Sequence, residues 1–309
     1  MMMTRMRLLA TMLAMALASH TAAADAKGGV QQIAVAAPPR TILFLGNSFT
    51  QGAHSAVRNW HAHRVTDLNR EGYGGVPALF KEFADESGLN YAVSLETQGG
   101  QSLTFHYDQR RQLFDRPWDA VVLQEYSTLD RDRPGDPAAY IRAVGLLGTF
   151  FRARNPAVRV HLTATWSRAD LTYLTAGRWY GRPIAAMADD LRRAADRARR
   201  SHPWVAGVVP VGQAWNRAFA LGIADPNPYD GIAFGQANLW SYDQYHASTA
   251  GYYLEALTVF GAVTGVDPRS LGRGERAADE LGLSPDLAAS LQRVAHEQLR
   301  DRADRITAS

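Results

Sequence analysis

From Thr41 onward the chain alternates short apolar runs with longer amphipathic stretches, and this rhythm limits the fold more than any single residue does. Runs at 42–45, 91–96, 120–123, 158–164 and 205–211 have the length and aliphatic content of buried strands. Between them, 76–87 (VPALFKEFADES) sets Leu79, Phe80 and Phe83 on one side of a helix. Segments 137–154 and 183–200, rich in Ala, Leu and Arg, are further helix candidates, as are 247–265 and 284–306. Strands alternating with helices predict a parallel sheet covered on both faces, an α/β three-layer arrangement. Right-handed crossovers then bring every strand's C-terminal end to one edge, where the sites of open α/β sheets gather.

Segment 53–75 does not fit a short strand-to-helix connection. It carries His54, Trp60, His61, His63 and Tyr73 in loop-like polar sequence, the kind of insertion that often forms a lid or substrate wall. No repeat or low-complexity linker divides 41–309, which reads as one domain with a C-terminal helical extension from about 270. Ahead of it, Arg5 and Arg7 precede the apolar run 8–18 and then Ala22-Ala23-Ala24. Charge, hydrophobic run and small residues in that order predict a signal peptide over 1–24 and export to the periplasm or beyond. An uncleaved anchor is the alternative, but the run is short for a bilayer span. Residues 25–40 read as a flexible leader.

Removing 1–24 takes away two arginines and no acid, so the formal charge falls from +3 to +1. A near-neutral chain has no general pull toward nucleic acid. The absence of cysteine excludes disulfides, thiolate metal sites and cysteine nucleophiles. No later segment is long enough to predict membrane insertion after signal cleavage.

Four short blocks could carry chemistry. Gly46-Asn47-Ser48 follows the first strand, Gly99-Gly100-Gln101-Ser102-Leu103 the second and Gln124-Glu125 the third. Asp243-Gln244-Tyr245-His246 stands before the 247–265 helix. A serine needs a base to take its proton, and the base needs a group that fixes its tautomer. Asp243 and His246 can share one loop in that way, although a turn serine and a helix-capping acid are the plainer readings of each block alone. The histidines at 54, 61 and 63 lack a nearby acidic cluster, so no metal site is expected from them.

Taken together and in this order, GNSFT, GGQSL with the following His106, VVLQEYS and DQYHAS resemble the SGNH, or GDSL-type, hydrolase superfamily, in particular a bacterial branch of it. The resemblance extends from Thr41 to about Gly265. It implies a flavodoxin-like five-stranded parallel sheet in an α/β/α sandwich and a serine hydrolase that needs no cofactor. It implies Ser48 as nucleophile, His246 as general base and acid, and Asp243 as its orienter. The oxyanion hole would come from the Ser48 and Gly100 N–H groups and the Gln124 side-chain amide. Two positions depart from the pattern: Asn47 stands where many members have Asp, and Gln124 where the third block normally has Asn. Asn47, His106, Trp166 and Tyr242 are candidate substrate-binding residues, and Glu125 is read as organising its loop. The implied reaction is hydrolysis of a carboxylic ester, with a short acyl group on carbohydrate preferred. Acyl transfer to a polysaccharide hydroxyl and non-catalytic carbohydrate binding are the alternatives.

Overall fold

The computed structural model describes residues 37–307, and the signal-peptide expectation with most of the leader falls outside them. From Pro38 onward the chain forms one compact unit. Its first strand, β1 (Arg40–Gly46), pairs in parallel with β3 (Tyr91–Thr97) on one side and β4 (Ala120–Gln124) on the other. Beyond β4 lie β5 (Arg159–Thr163) and β6 (Val205–Val209), again parallel. The expected strands are all present. A sixth, β2 (Thr66–Asp67), lies within the 53–75 insertion and adds two residues to the edge of β3.

The sheet order is β2-β3-β1-β4-β5-β6. Without the two-residue edge strand this is the flavodoxin-like order, in which the chain moves outward from β1 first one way and then the other. The direction reverses at the C-terminal ends of β1 and its neighbours, the place where open α/β sheets carry their crevice. The three strands ending there are the ones followed by the Ser48, Gly100 and Gln124 blocks.

Alternate residues of β1 explain why both faces are covered. Ile42 and Phe44 enter one apolar cluster, Leu43 and Leu45 the other, and all four are essentially inaccessible. The first cluster joins the sheet to α1 (Gly75–Glu86), α5 (Val211–Ala220), α6 (Thr249–Thr264) and α8 (Pro285–Thr307). The second joins it to α3 (Ala138–Arg154) and α4 (Ala185–Ser201). Shorter turns complete the chain: α2 (Leu103–Phe105) follows β3 and α7 (Arg276–Glu280) precedes α8.

The apolar run ending at Val211 overshoots its strand by two residues, because Pro210 has no N–H for the ladder. Proline instead suits a helix start, and α5 begins directly after it. Among the described residues no helix is long and apolar enough to cross a membrane.

Candidate active site

β1 ends at Gly46 because a side chain there would collide with Thr50 Oγ1 and the Gln124 amide oxygen. The chain then makes one tight helical turn. Gln51 N–H donates to the Asn47 carbonyl at 3.0 Å and Ala53 N–H to the Ser48 carbonyl at 3.0 Å. Asn47 folds the start of this turn by accepting the Phe49 N–H on Oδ1, at 3.2 Å. Its Nδ2 donates to the carbonyls of Gln101 and Glu125, so one buried amide ties together the first three blocks. From α6, the Tyr252 hydroxyl reaches in to the Ala53 carbonyl at 3.0 Å. Ser48, half-buried, stands at the tip.

The loop before α6 arrives from the other side. Ser248, not Asp243, caps α6, accepting the Gly251 N–H. Asp243 is thereby available to build the preceding loop: Oδ1 accepts the N–H groups of Tyr245 and His246, at 3.1 and 3.0 Å. Its other oxygen meets His246 Nδ1 at 2.6 Å, and His246 Nε2 lies 2.9 Å from Ser48 Oγ. A carboxylate, an imidazole and a hydroxyl thus form one hydrogen-bonded chain across 198 positions of sequence.

Burial pushes the His246 pKa below its ordinary 6.5, and the opposing bond and charge of Asp243 reverse this only in part. The imidazole is therefore neutral at neutral pH, with Nε2 able to accept the serine proton. For Asp243, burial raises the pKa, but the hydrogen bonds from the His246 ring and from two backbone N–H groups outweigh it and hold the carboxyl below its usual range. It stays ionised and fixes the proton on Nδ1.

Around Ser48, the second block turns at Gly100, whose φ of +70° strains any residue with a side chain. The N–H groups of Ser48 and Gly100 donate to no group among the described residues. Gln124 is different. Its Oε1 accepts from the Asn47 N–H and the Thr50 hydroxyl, both at 3.0 Å, and its Nε2 donates to the Glu125 carbonyl. Both polar atoms of this amide are thus taken up beneath the Ser48 turn, so the expectation of an oxyanion donor is corrected to that of a brace. Glu125 organises its loop as expected: its buried carboxyl accepts the N–H of Leu103 and of Tyr126. Burial raises its pKa to about 8 against those bonds.

Three of the expected substrate contacts are likewise corrected, the first being Asn47, whose buried amide is taken up by the backbone bonds given above. Trp166 is wholly buried, stacked on Phe49 at 4.1 Å and on Trp215 at 4.8 Å, and its indole N–H donates to the Tyr245 carbonyl. His106 is equally inaccessible and pairs with the buried Glu96 at 2.5 Å. Both serve the interior beneath the crevice. Tyr242, 77% exposed, is at the rim, with its hydroxyl bonded to His54 Nδ1.

His54 has no motif to mark it, yet its ring stacks on His246 at 4.4 Å between centroids, and its carbonyl accepts the Ser241 hydroxyl. The insertion therefore meets the Asp243–His246 loop at His54, one of its first residues. Its other histidines lie elsewhere: His61 stacks on Trp60 and meets Glu280 at 3.0 Å. Among the described residues, His54, Asp243 and His246 are the one group whose ligating atoms converge as a metal site requires, all within 4.8 Å. A cation there would compete with Ser48 for the imidazole. A surface hollow of about 660 Å³ lies between α4, α5 and α8 and includes none of these residues.

Neither a protein-family model nor a curated protein matches the sequence. Solved structures do match. A DUF4886 family protein from Bacteroides uniformis superposes with a TM-score of 0.57 at 18% identity, covering 84% of this chain and 95% of its own. A candidate GDSL-like lipase from Parabacteroides merdae superposes with a TM-score of 0.51 at 17% identity, covering 73% of this chain and 95% of its own. The chain has the SGNH, or GDSL-type, hydrolase fold. Its variations on that fold are the extra edge strand β2 and a third block whose glutamine braces the turn.

Proposed function

We propose that the protein is a serine hydrolase of carboxylic esters, acting through Ser48, His246 and Asp243. The observation that carries this reading is the unbroken contact from Asp243 Oδ2 through both ring nitrogens of His246 to Ser48 Oγ. The likeness to a GDSL-like lipase fold supports it at the level of the reaction class.

In the proposed reaction Ser48 Oγ attacks the ester carbonyl carbon while His246 Nε2 takes the hydroxyl proton. Asp243 stabilises the resulting imidazolium. Negative charge develops on the carbonyl oxygen, within reach of the Ser48 and Gly100 N–H groups. Collapse breaks the bond to the alcohol oxygen, which receives the proton from His246. Water, deprotonated by the same nitrogen, then attacks the acyl-serine, and collapse breaks the acyl–Oγ bond, returns the proton from His246 to Ser48 and releases the acid. The preferred substrate is a short acyl group, such as acetyl, on a carbohydrate. Export with cleavage after Ala24 or Ala26 belongs to the same proposal, and N-terminal sequencing of the secreted chain tests it.

A panel of 4-nitrophenyl esters of rising acyl length, beside acetylated oligosaccharides, tests the activity. The expected result is turnover that favours short acyl groups and disappears in Ser48→Ala. Equal release by the wild type and Ser48→Ala would overturn the reading. Activity appearing only with a sugar acceptor would redirect it to acyl transfer.

A further inference from the structure

A cavity of about 260 Å³ opens beside the Ser48 crevice, lined by Tyr126, Arg131, Arg168, Leu171, Arg178 and Trp179 among others, with no acidic residue in its wall. Two of its three guanidinium groups have acid partners outside the wall, although Asp190, the partner of Arg178, is shared with Arg182 and Arg193. Arg168 holds Asp170 with two bonds, at 3.0 and 2.6 Å, and Arg178 meets Asp190 at 3.3 Å. Arg131 has no acid partner among the described residues. The nearby Asp130 accepts the N–H groups of Asp132 and Arg133 and pairs with the Arg133 side chain. The cavity therefore carries one positive charge in excess of its partners, and a guanidinium presents its donors in a planar fork that suits an oxyanion.

Both ends of this cavity touch the proposed machinery. Arg131 Nη2 donates at 2.8 Å to the carbonyl of Gly100, the proposed oxyanion donor. Arg168 lies flat over the Tyr245 ring, 3.6 Å from its centroid, and that ring packs on His246 at 4.2 Å.

Resting on the esterase reading above, we propose that this cavity is an anion subsite, in which Arg131 binds a carboxylate or phosphate carried by the non-reacting part of the ester. The natural substrate class is then an acylated acidic saccharide. Remote charge recognition of this kind fixes the ester relative to the nucleophile, and its loss shows mainly in KM.

The test compares three acetylated substrates with one sugar frame: methyl galactoside, methyl galacturonoside and methyl galactoside 6-phosphate. We expect kcat/KM for at least one acidic ester to exceed that for the neutral one by roughly tenfold. The better acidic arm identifies the anion. In Arg131→Ala this ratio falls to about one, and in Arg131→Lys it stays above one because the charge remains. A wild-type ratio near one, or a ratio unchanged by Arg131→Ala, overturns the proposal. Binding of unacetylated methyl galacturonoside and methyl galactoside to Ser48→Ala separates the two readings. Preference for the acid keeps the subsite even where no ester is cleaved, and equal binding removes it.

Discussion

The turn that carries Ser48 and the loop that carries His246 meet at one hydrogen bond but are held in different ways. The turn is braced from beneath on several sides: by Gln124 and Asn47 from the sheet edge, by Tyr252 from α6, and by Phe49 lying on the buried Trp166. The loop runs along the rim, with Tyr242 largely exposed, and takes its shape mostly from Asp243 bonding to its own backbone. In the proposed reaction the nucleophile must be fixed relative to its oxyanion donors, whereas a base that moves a proton twice has only to return to one position. The contrast implies that substitutions under the turn act through stability, and substitutions in the loop act through chemistry.

The largest expected effects fall on the contact between the two. Ser48→Ala or His246→Ala should lower ester hydrolysis by roughly 10³–10⁶-fold with little change in urea midpoint. Asp243→Asn keeps an oxygen for the loop backbone but loses the carboxylate that fixes the tautomer. Its kcat should fall by roughly 10⁴-fold, again without loss of stability. A large drop in stability for Asp243→Asn would break the comparison.

Below the turn the balance reverses. Trp166→Ala removes a wholly buried ring between Phe49 and Trp215 and should destabilise the protein by about 3–5 kcal/mol in urea unfolding. Gln124→Ala leaves the buried Asn47 N–H and Thr50 hydroxyl without their acceptor, which should cost about 1–3 kcal/mol. The same variant sharpens the role of Gln124. A fall in kcat with stability intact is the signature of an oxyanion donor, and loss of stability is that of a brace.

The smallest effect is in pH. His246 acts as a base only when neutral, and its pKa lies below 6.5. The kcat/KM profile should therefore be flat at neutral pH and fall through a midpoint below 6.5 as pH drops. Asp243→Asn removes a partner that raises this pKa, so the midpoint should move lower still. An upward move would mean that Asp243 does not act on the imidazole.

Much of the fold was legible because buried parallel strands and amphipathic helices have distinct periods. β1, β3, β4 and β5 lie within two residues of their apolar runs. What escaped was local: β2 is too short to have a period, and the Val-rich run into Pro210 hid the start of α5. In the site, Ser48, Asp243 and His246 could be read because each lies in a compact block beside a strand end or a helix start. Gln124, His106 and Trp166 could not be assigned in the same way. Whether a strand-end side chain faces the crevice or folds beneath it depends on what packs there, here Thr50, Glu96 and Phe49. His54 stood out in the sequence only as one histidine of the insertion, and its place beside His246 comes from the return of the 241–246 loop.

The most direct measurement is covalent labelling with a fluorophosphonate, followed by mass spectrometry of the tryptic peptides. A single phosphonyl adduct on Ser48, lost in His246→Ala, is the predicted result, because only a serine activated by its imidazole displaces fluoride. An adduct on another serine, or an unlabelled Ser48 under conditions that modify a known serine esterase, would contradict the account.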